Sequence, residues 1–184
     1  GDAWRALDQD PSVMPQSWVI RNPTKTMSWL GGLFTLKPGV DGIAISKNDQ
    51  FLVYGAMAHD TLFSVPTAAL TRAEAGQAAL QVKALGRKPL NDGLSMDSTD
   101  NIFITDVEHG SVMKMTPAGV LSTVVQDVQR LRWADALSFG PDGWLYVVDS
   151  AIPDQMLRSK SHMREQAPYR IFRFKPGTEG VPGQ

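Results

Sequence analysis

An all-β fold, a β-propeller of four-stranded antiparallel blades, is predicted by three observations. Three segments open alike: Asp41-Gly42-Ile43-Ala44-Ile45, Asp92-Gly93-Leu94-Ser95-Met96 and Asp135-Ala136-Leu137-Ser138-Phe139. Each runs through a turn into an apolar second strand and on to a third. The copies recur after 51 and then 43 residues, the period at which one small sheet is repeated and stacked.

The elements follow in order. Residues 1–40 supply the outer strand of a preceding blade (Trp4-Arg5-Ala6-Leu7) and a long loop rich in Pro and Trp. Blades follow at 41–90, 91–134 and 135–184, all within one propeller domain. Asp41 laid over Asp92 aligns without a gap as far as Pro66 and Pro117. The first turns are Lys47-Asn48-Asp49-Gln50, Ser98-Thr99-Asp100-Asn101 and Pro141-Asp142-Gly143, residue types that enter tight turns at little conformational cost. Second strands at 51–54, 102–105 and 145–148 are β-branched and aromatic, as strands buried on both faces require. Third strands are expected at 61–65, 111–115 and 169–174, and outer fourth strands at 80–85 and 120–125. No substantial helix is expected; 67–75 offers a short turn of one.

Departures from the repeat locate the faces. The third copy reaches its matching Pro176 late, the excess falling within 151–167, between its second and third strands. That insertion shares a face with Asp41, Asp92 and Asp135, because loops into strand one and between strands two and three emerge together. The extra residues of the first copy, 67–79, fall on the opposite face.

A chain of 184 residues holds a real core but is too short for six such blades, which need about 270 residues. It reads as three blades and a remnant, the C-terminal half of a longer propeller. An open propeller exposes a blade face at each end. If ~600 Å² were bared per end, about 15 kcal/mol of burial would be forgone, so a missing N-terminal half, a second chain or self-association is expected to close it. A net charge of −1 without a basic cluster argues against nucleic acid. No apolar run reaches membrane-spanning length. With no cysteine, disulfides, thiolate metal sites and cysteine nucleophiles are excluded. No phosphate-cradling glycine loop, nucleophile elbow or HExxH is present.

Several segments resemble the major royal jelly/Yellow family: Asp41-Gly-Ile-Ala-Ile-Ser, Leu62-Phe-Ser-Val-Pro-Thr-Ala-Ala-Leu70, Ser95-Met-Asp97 and Asn101-Ile-Phe-Ile-Thr-Asp106. Val124-Val-Gln-Asp127, Leu131-Arg-Trp133, Leu145-Tyr-Val-Val-Asp149, Pro168-Tyr-Arg-Ile-Phe-Arg173 and Asp10-Pro-Ser-Val13 extend the likeness along nearly the whole chain, most like a bacterial member. The resemblance implies a six-bladed propeller and a secreted or periplasmic protein. It names no single activity, since the family's attributed roles range from small-amine binding to dopachrome conversion and nutrition. More distantly, Asn91-Asp92-Gly93 is similar to the segment that carries an Asp metal ligand in the gluconolactonase/senescence-marker class. Asp41 stands where that class places an Asn, and its Glu would lie upstream of this chain.

The candidate site is the channel mouth. Asp41, Asp92 and Asp135 should converge there, and carboxylates ~8 Å apart repel by about 2 kcal/mol per pair at an effective dielectric near 20. A cation, protonation or water relieves such a ring, and Ca²⁺ or another divalent metal suits its oxygens. The alternative is that each aspartate caps backbone N–H groups of a neighbouring loop. Asp92 is also the candidate catalytic group. Asp106 and Asp149 end equivalent second strands, with Glu108 beside the first, and could form a second acid site or simply be solvated. His59 and His109 lie in matching loops on the mouth face, where with carboxylates they could bind a transition metal or shuttle protons, or be ordinary surface-loop residues. Trp133 could stack on a ligand or fill space between blades, while His162 and the Met/Arg-rich insertion 151–167 could close over the channel or stay exposed. Three functions follow: binding of a small ligand at the mouth, metal-dependent lactone hydrolysis with Asp92 as ligand or base, or a protein-interaction propeller.

Overall fold

The computed structural model describes residues 2–181. A short ribbon, β1 (Ser28–Trp29) and β2 (Phe34–Thr35), precedes the blades. The first blade is β3 (Val40–Ile45), β4 (Phe51–Ala56), β5 (Thr61–Pro66) and β6 (Lys83–Arg87) in sequential antiparallel order. The second is β7 (Leu94–Met96), β8 (Ile102–Asp106), β9 (Ser111–Met115) and β10 (Leu121–Gln126). The third has three strands, β11 (Ala134–Phe139), β12 (Leu145–Asp149) and β13 (Arg170–Phe174). Sequential hairpins stacked about an axis through β3, β7 and β11 make this a β-propeller arrangement.

The repeated Asp-Gly opening has a steric cause. A Cβ at Gly42 would lie 2.6 Å from the Asp92 carbonyl oxygen, and one at Gly93 would strike the Asp135 carbonyl. Inner strands therefore approach so closely at the axis that the residues after Asp41 and Asp92 must lack a side chain. Ala136 holds that position in the third blade and is exposed, with no further inner strand beyond it among the described residues.

Four apolar clusters hold the blades. Ala44, Val53 and Leu62 of the first blade pack on Leu94, Met96, Ile104 and Met115 of the second. Phe103, Val112 and Leu137, Leu145, Val147 join the second blade to the third. A third cluster lies on the mouth face, where Ile20, Met27, Leu90, Val107 and Trp133 are joined by Ile152 and Met156 of the 151–167 insertion. The fourth covers the free side of the first blade: Leu7, Ala69 and Ala78 enclose Tyr54 and Val65, and Ser12 Oγ lies 2.7 Å from the Tyr54 hydroxyl.

That fourth cluster corrects two expectations. Trp4-Arg5-Ala6-Leu7 forms no strand; it turns so that Leu7 covers the first blade, and Trp4 Nε1 donates to the Leu70 carbonyl at 2.9 Å. Over Tyr54 and Val65 the blade face at this end is accordingly covered, while Ile43 of the inner strand, in register with Tyr54, is 56% exposed. The expected outer strand at 80–85 is also displaced. Residues 75–81 form a 3-10 segment that buries Ala78, and the strand begins at Lys83. The insertion contains one helical turn, α1 (Lys160–Glu165), capped by Ser159 Oγ accepting from the His162 N–H.

The tail was not anticipated. After β13 the chain runs back to the second blade: Gly180 bridges Asp97, and the Val181 N–H donates to the Met96 carbonyl at 3.2 Å. Val181 is buried between the first two blades, at the end of β7 remote from the aspartates. At the opposite side of the molecule β13 presents an edge that no described strand pairs, with Ile171 70% exposed.

Candidate functional site at the channel mouth

Each aspartate is aimed by an irregularity at the start of its inner strand. Register shifts fall at Asp41 in β3 and at Asp135-Ala136 in β11, and bulges of this kind redirect a side chain. In the second blade a hydroxyl does the work. Thr105 Oγ1 accepts the N–H groups of both Asp92 and Gly93 at 3.0 Å, holding the Asp92 backbone outside the ladder. Together Asp41, Asp92 and Asp135 line an open cavity of about 220 Å³ with Gly42, Gly93 and Ala136.

The three carboxyl groups are not equivalent. Trp133, fully buried, donates its indole N–H to Asp92 Oδ2 at 2.8 Å. Burial pushes Asp92 up to about 7, the charges of Asp135 and Asp41 push in the same direction, and the Trp133 bond opposes them. Asp41 is raised too, first by desolvation of its carboxyl and then by Asp135, with a hydrogen bond from Asp92 opposing. Asp92 and Asp41 are hydrogen-bonded to each other, an arrangement that needs a proton on one of the pair and favours Asp92, the more strongly raised of the two. A neutral acid bonded to a neighbouring carboxylate in a partly dry site is how like charges at close range are accommodated.

This arrangement bears on a metal. Hard oxygen donors suit Ca²⁺ or Mg²⁺, but Asp92 commits one oxygen to the indole N–H and is hydrogen-bonded to Asp41. Among the described residues no group of three or more His, Asp or Glu side chains is gathered to hold a metal ion. As it stands, the ring does not fit a three-carboxylate metal site. Asn91, fully buried beside it, donates to the Asp92 carbonyl at 3.1 Å. Its Oδ1 has no hydrogen-bond partner and lies over Gly55 rather than among the aspartates.

The remaining candidates are drawn into the framework. Asp149 is fully buried, not a solvated strand end. Its Oδ2 accepts from Arg132 Nε and Nη2 at 2.9 and 2.6 Å, and its Oδ1 accepts the Trp133 N–H at 3.1 Å. It clamps the segment that delivers Trp133 and has no oxygen to spare for a ligand. Asp106 likewise accepts the N–H groups of Glu108 and His109, each at 3.1 Å, and the His109 ring at 2.9 Å. His109 itself is exposed. Glu108 does not pair with Asp106; it accepts the Arg21 N–H at 2.7 Å.

His59 is buried, contrary to a surface-loop role. Its Nδ1 accepts the Thr61 N–H at 3.0 Å, and burial followed by the Lys88 charge lowers its pKa. Lys88 occupies the space left by Gly55, where the other blades carry Asp106 and Asp149. Its ammonium donates to the carbonyls of Ala56 and His59 at 2.9 and 2.5 Å, and burial brings it down to about 7. His162 is partly buried and bonds Asp154 at 3.1 Å. None of these three reaches the mouth cavity.

Sequence reasoning missed two contributors. Thr105 stands where the other blades have Tyr54 and Val148, and a hydroxyl at an otherwise apolar repeat position was the available signal. The second is the segment from Ile20 to Leu36, which joins residues 152–156 over Trp133. Its contacts are long-range, such as Asn22 Nδ2 donating to the Arg132 carbonyl at 3.1 Å and Lys25 Nζ to the Pro153 carbonyl at 3.4 Å.

Comparison with known proteins agrees with this architecture. A regucalcin, a calcium-binding protein from Agrobacterium tumefaciens, is 19% identical with a TM-score of 0.54, covering 77% of this chain and 46% of its own. A luciferin-regenerating enzyme is 16% identical with a TM-score of 0.56, covering 89% and 63%. A gluconolactonase from Xanthomonas campestris is 14% identical with a TM-score of 0.56, covering 90% and 56%. At these identities the likeness is one of fold, and the chain spans less than two thirds of each of those proteins. No curated protein matches it in sequence. The major royal jelly protein model matches residues 15–175, nearly the full described length, and the chain belongs to the major royal jelly protein family.

Proposed function

We propose that the protein binds a small cationic ligand at the channel mouth, with Asp41, Asp92 and Asp135 as its recognition groups. The observation that carries this reading is the gathering of three carboxyl groups round a 220 Å³ cavity, where Asp92 and Asp41 hydrogen-bond each other and are both raised above the usual carboxylate range. Such a trio is strained by its own repulsion, and a bound ammonium relieves it. Displacing the Asp92 proton would convert a neutral acid into a second carboxylate facing the ligand. Trp133 would steady that carboxylate through its indole N–H, and the cap of Ile20, Met27 and Met156 would shield it from water. Low-dielectric surroundings strengthen ion pairing of this kind. Secretion and a six-bladed whole protein accord with family membership and belong to the same proposal.

Lactone hydrolysis is the second reading, favoured by one observation. A carboxyl brought to about 7 is poised near the operating pH of a general acid or base. A divalent metal would have to displace both the Asp92 proton and its bond to Asp41 before it could be held there. Asp41 in place of an Asn, and Asn91 turned toward Gly55, also depart from a metal-dependent lactonase pattern.

The discriminating experiment follows the Trp133 indole N–H signal by NMR during separate titrations with methylammonium and Ca²⁺. A saturable shift with methylammonium, lost in Asp92→Asn, supports cation binding. A response to Ca²⁺ alone, accompanied by lactone turnover, would overturn it.

A further inference from the structure

An apolar knob stands on the mouth face, built from two segments far apart in sequence. The β1–β2 ribbon turns through Leu30-Gly31-Gly32. Leu30 and Leu33 are each 75% exposed, and Phe34 is largely so. Behind the turn, Trp29 and Leu36 pack on the same cluster as Ile152 and Met156 of the 151–167 insertion. Leu157, next in the chain, is 79% exposed. Lys25 ties the two segments together: its ammonium lies 4.6 Å from the Trp29 ring centroid and donates to the Pro153 carbonyl at 3.4 Å.

Neither solvent nor backbone favours these leucines. Leu30 has φ 50 and Leu157 has φ 56, left-handed conformations that strain a bulky side chain and suit glycine. Each leucine is disfavoured on both counts within the folded chain, which points to a contact outside it. Exposed apolar groups gathered in this way mark interaction sites.

The chemistry around the knob is cationic, although the whole chain has a net charge of −1. From residue 11 to 40 there is no Asp or Glu, while Arg21, Lys25 and Lys37 are present. From 155 to 164 there are again no acids, and Arg158, Lys160 and Arg164 are present. Burial and then the Arg158 charge lower the Lys25 pKa, so a cation of each segment stands close to the other. Acids beside them are engaged: Asp154 bonds His162, and Glu108 accepts the Arg21 N–H. The mouth cavity is lined by the inner strands alone, and its carboxyl groups are not part of this surface.

We infer that this knob docks on an anionic lipid surface, with Leu30, Leu33, Phe34 and Leu157 entering the boundary between headgroups and acyl chains and Lys25, Lys37 and Arg158 meeting lipid phosphates. At such a surface apolar burial and charge attraction add. A neutral bilayer or a soluble phosphate supplies only one of them. The inference is independent of the reading proposed for the mouth.

The test is co-sedimentation of the intact protein with vesicles of equimolar phosphatidylglycerol and phosphatidylcholine, and with vesicles of phosphatidylcholine alone, at about 0.1 M salt. The anionic vesicles should bind about tenfold or more tightly. Leu30→Gly with Leu157→Gly suits both backbone positions, so this variant should keep the wild-type Tm or exceed it. It should nevertheless bind anionic vesicles about tenfold or more weakly. Lys37→Gln with Arg158→Gln should bring anionic binding down toward the neutral value. The inference is overturned if anionic vesicles bind no protein, if the two compositions bind alike, or if either variant binds as wild type does. A dimer seen by light scattering without vesicles, and broken by the glycine variant, would overturn it as well, because a second copy would then cover the knob.

Discussion

Replacing Asp92 with Asn removes the most perturbed carboxyl of the mouth while keeping its shape. The amide oxygen still accepts from Trp133, and the amide nitrogen still donates to Asp41. What disappears is titration. In the unfolded chain this carboxyl titrates near 3.8, and in the folded protein near 7. A group raised on folding contributes stability that is full below its unfolded value and is lost as pH climbs to the folded one. At about 1.4 kcal/mol per unit, the wild-type protein forfeits about 4 kcal/mol from this group between those limits. Lys88 and His59, both lowered by burial, act in the opposite sense, losing stability as pH falls. They are common to both proteins and cancel in a difference. Urea unfolding of wild type and variant from pH 4 to 8.5 provides the assay. Relative to wild type, Asp92→Asn should become progressively more stable up to pH 7 and then level off. A difference that is flat with pH would refute the shared-proton account of the mouth.

Other substitutions probe the framework. Gly93→Ala should destabilise by about 1–3 kcal/mol through overpacking, seen as a lowered Tm, because its Cβ has no room beside the Asp135 carbonyl. Arg132→Met leaves Asp149 charged, buried and without its guanidinium, so chemical denaturation should reveal a loss of about 3–5 kcal/mol. Thr105→Val is nearly isosteric but strips the acceptor from the Asp92 and Gly93 N–H groups. It should cost about 1–3 kcal/mol and shift the amide NMR signals of both residues.

The features legible in the sequence were those set by repetition and alternation. The repeated Asp opening located every inner strand, and the apolar runs at 102–105 and 145–148 located the strands behind them. Glycine after Asp41 and Asp92 was legible as a motif but not as a cause, because the collision it avoids is with a residue some 40–50 positions away. Long-range partnerships were equally hidden. Nothing local to Asp149 announces Arg132, and nothing local to Val181 announces a place between the first two blades. Residues 80–85 have strand-like composition, yet burial of Ala78 held their first part in a 3-10 turn. His59 and His109 occupy matching loops, but Gly55 admits Lys88 beside the first and Asp106 anchors the second, so similar sequence positions acquire unlike environments.

Proton release on ligand binding tests the central claim most directly. If the mouth holds its proton between Asp92 and Asp41, a bound cation must displace it. Methylammonium binding at pH 6, measured calorimetrically in two buffers of different ionisation enthalpy, should release close to one proton per cation in the wild type and none in Asp92→Asn. Binding without proton release in the wild type, or the same release from both proteins, would contradict the account.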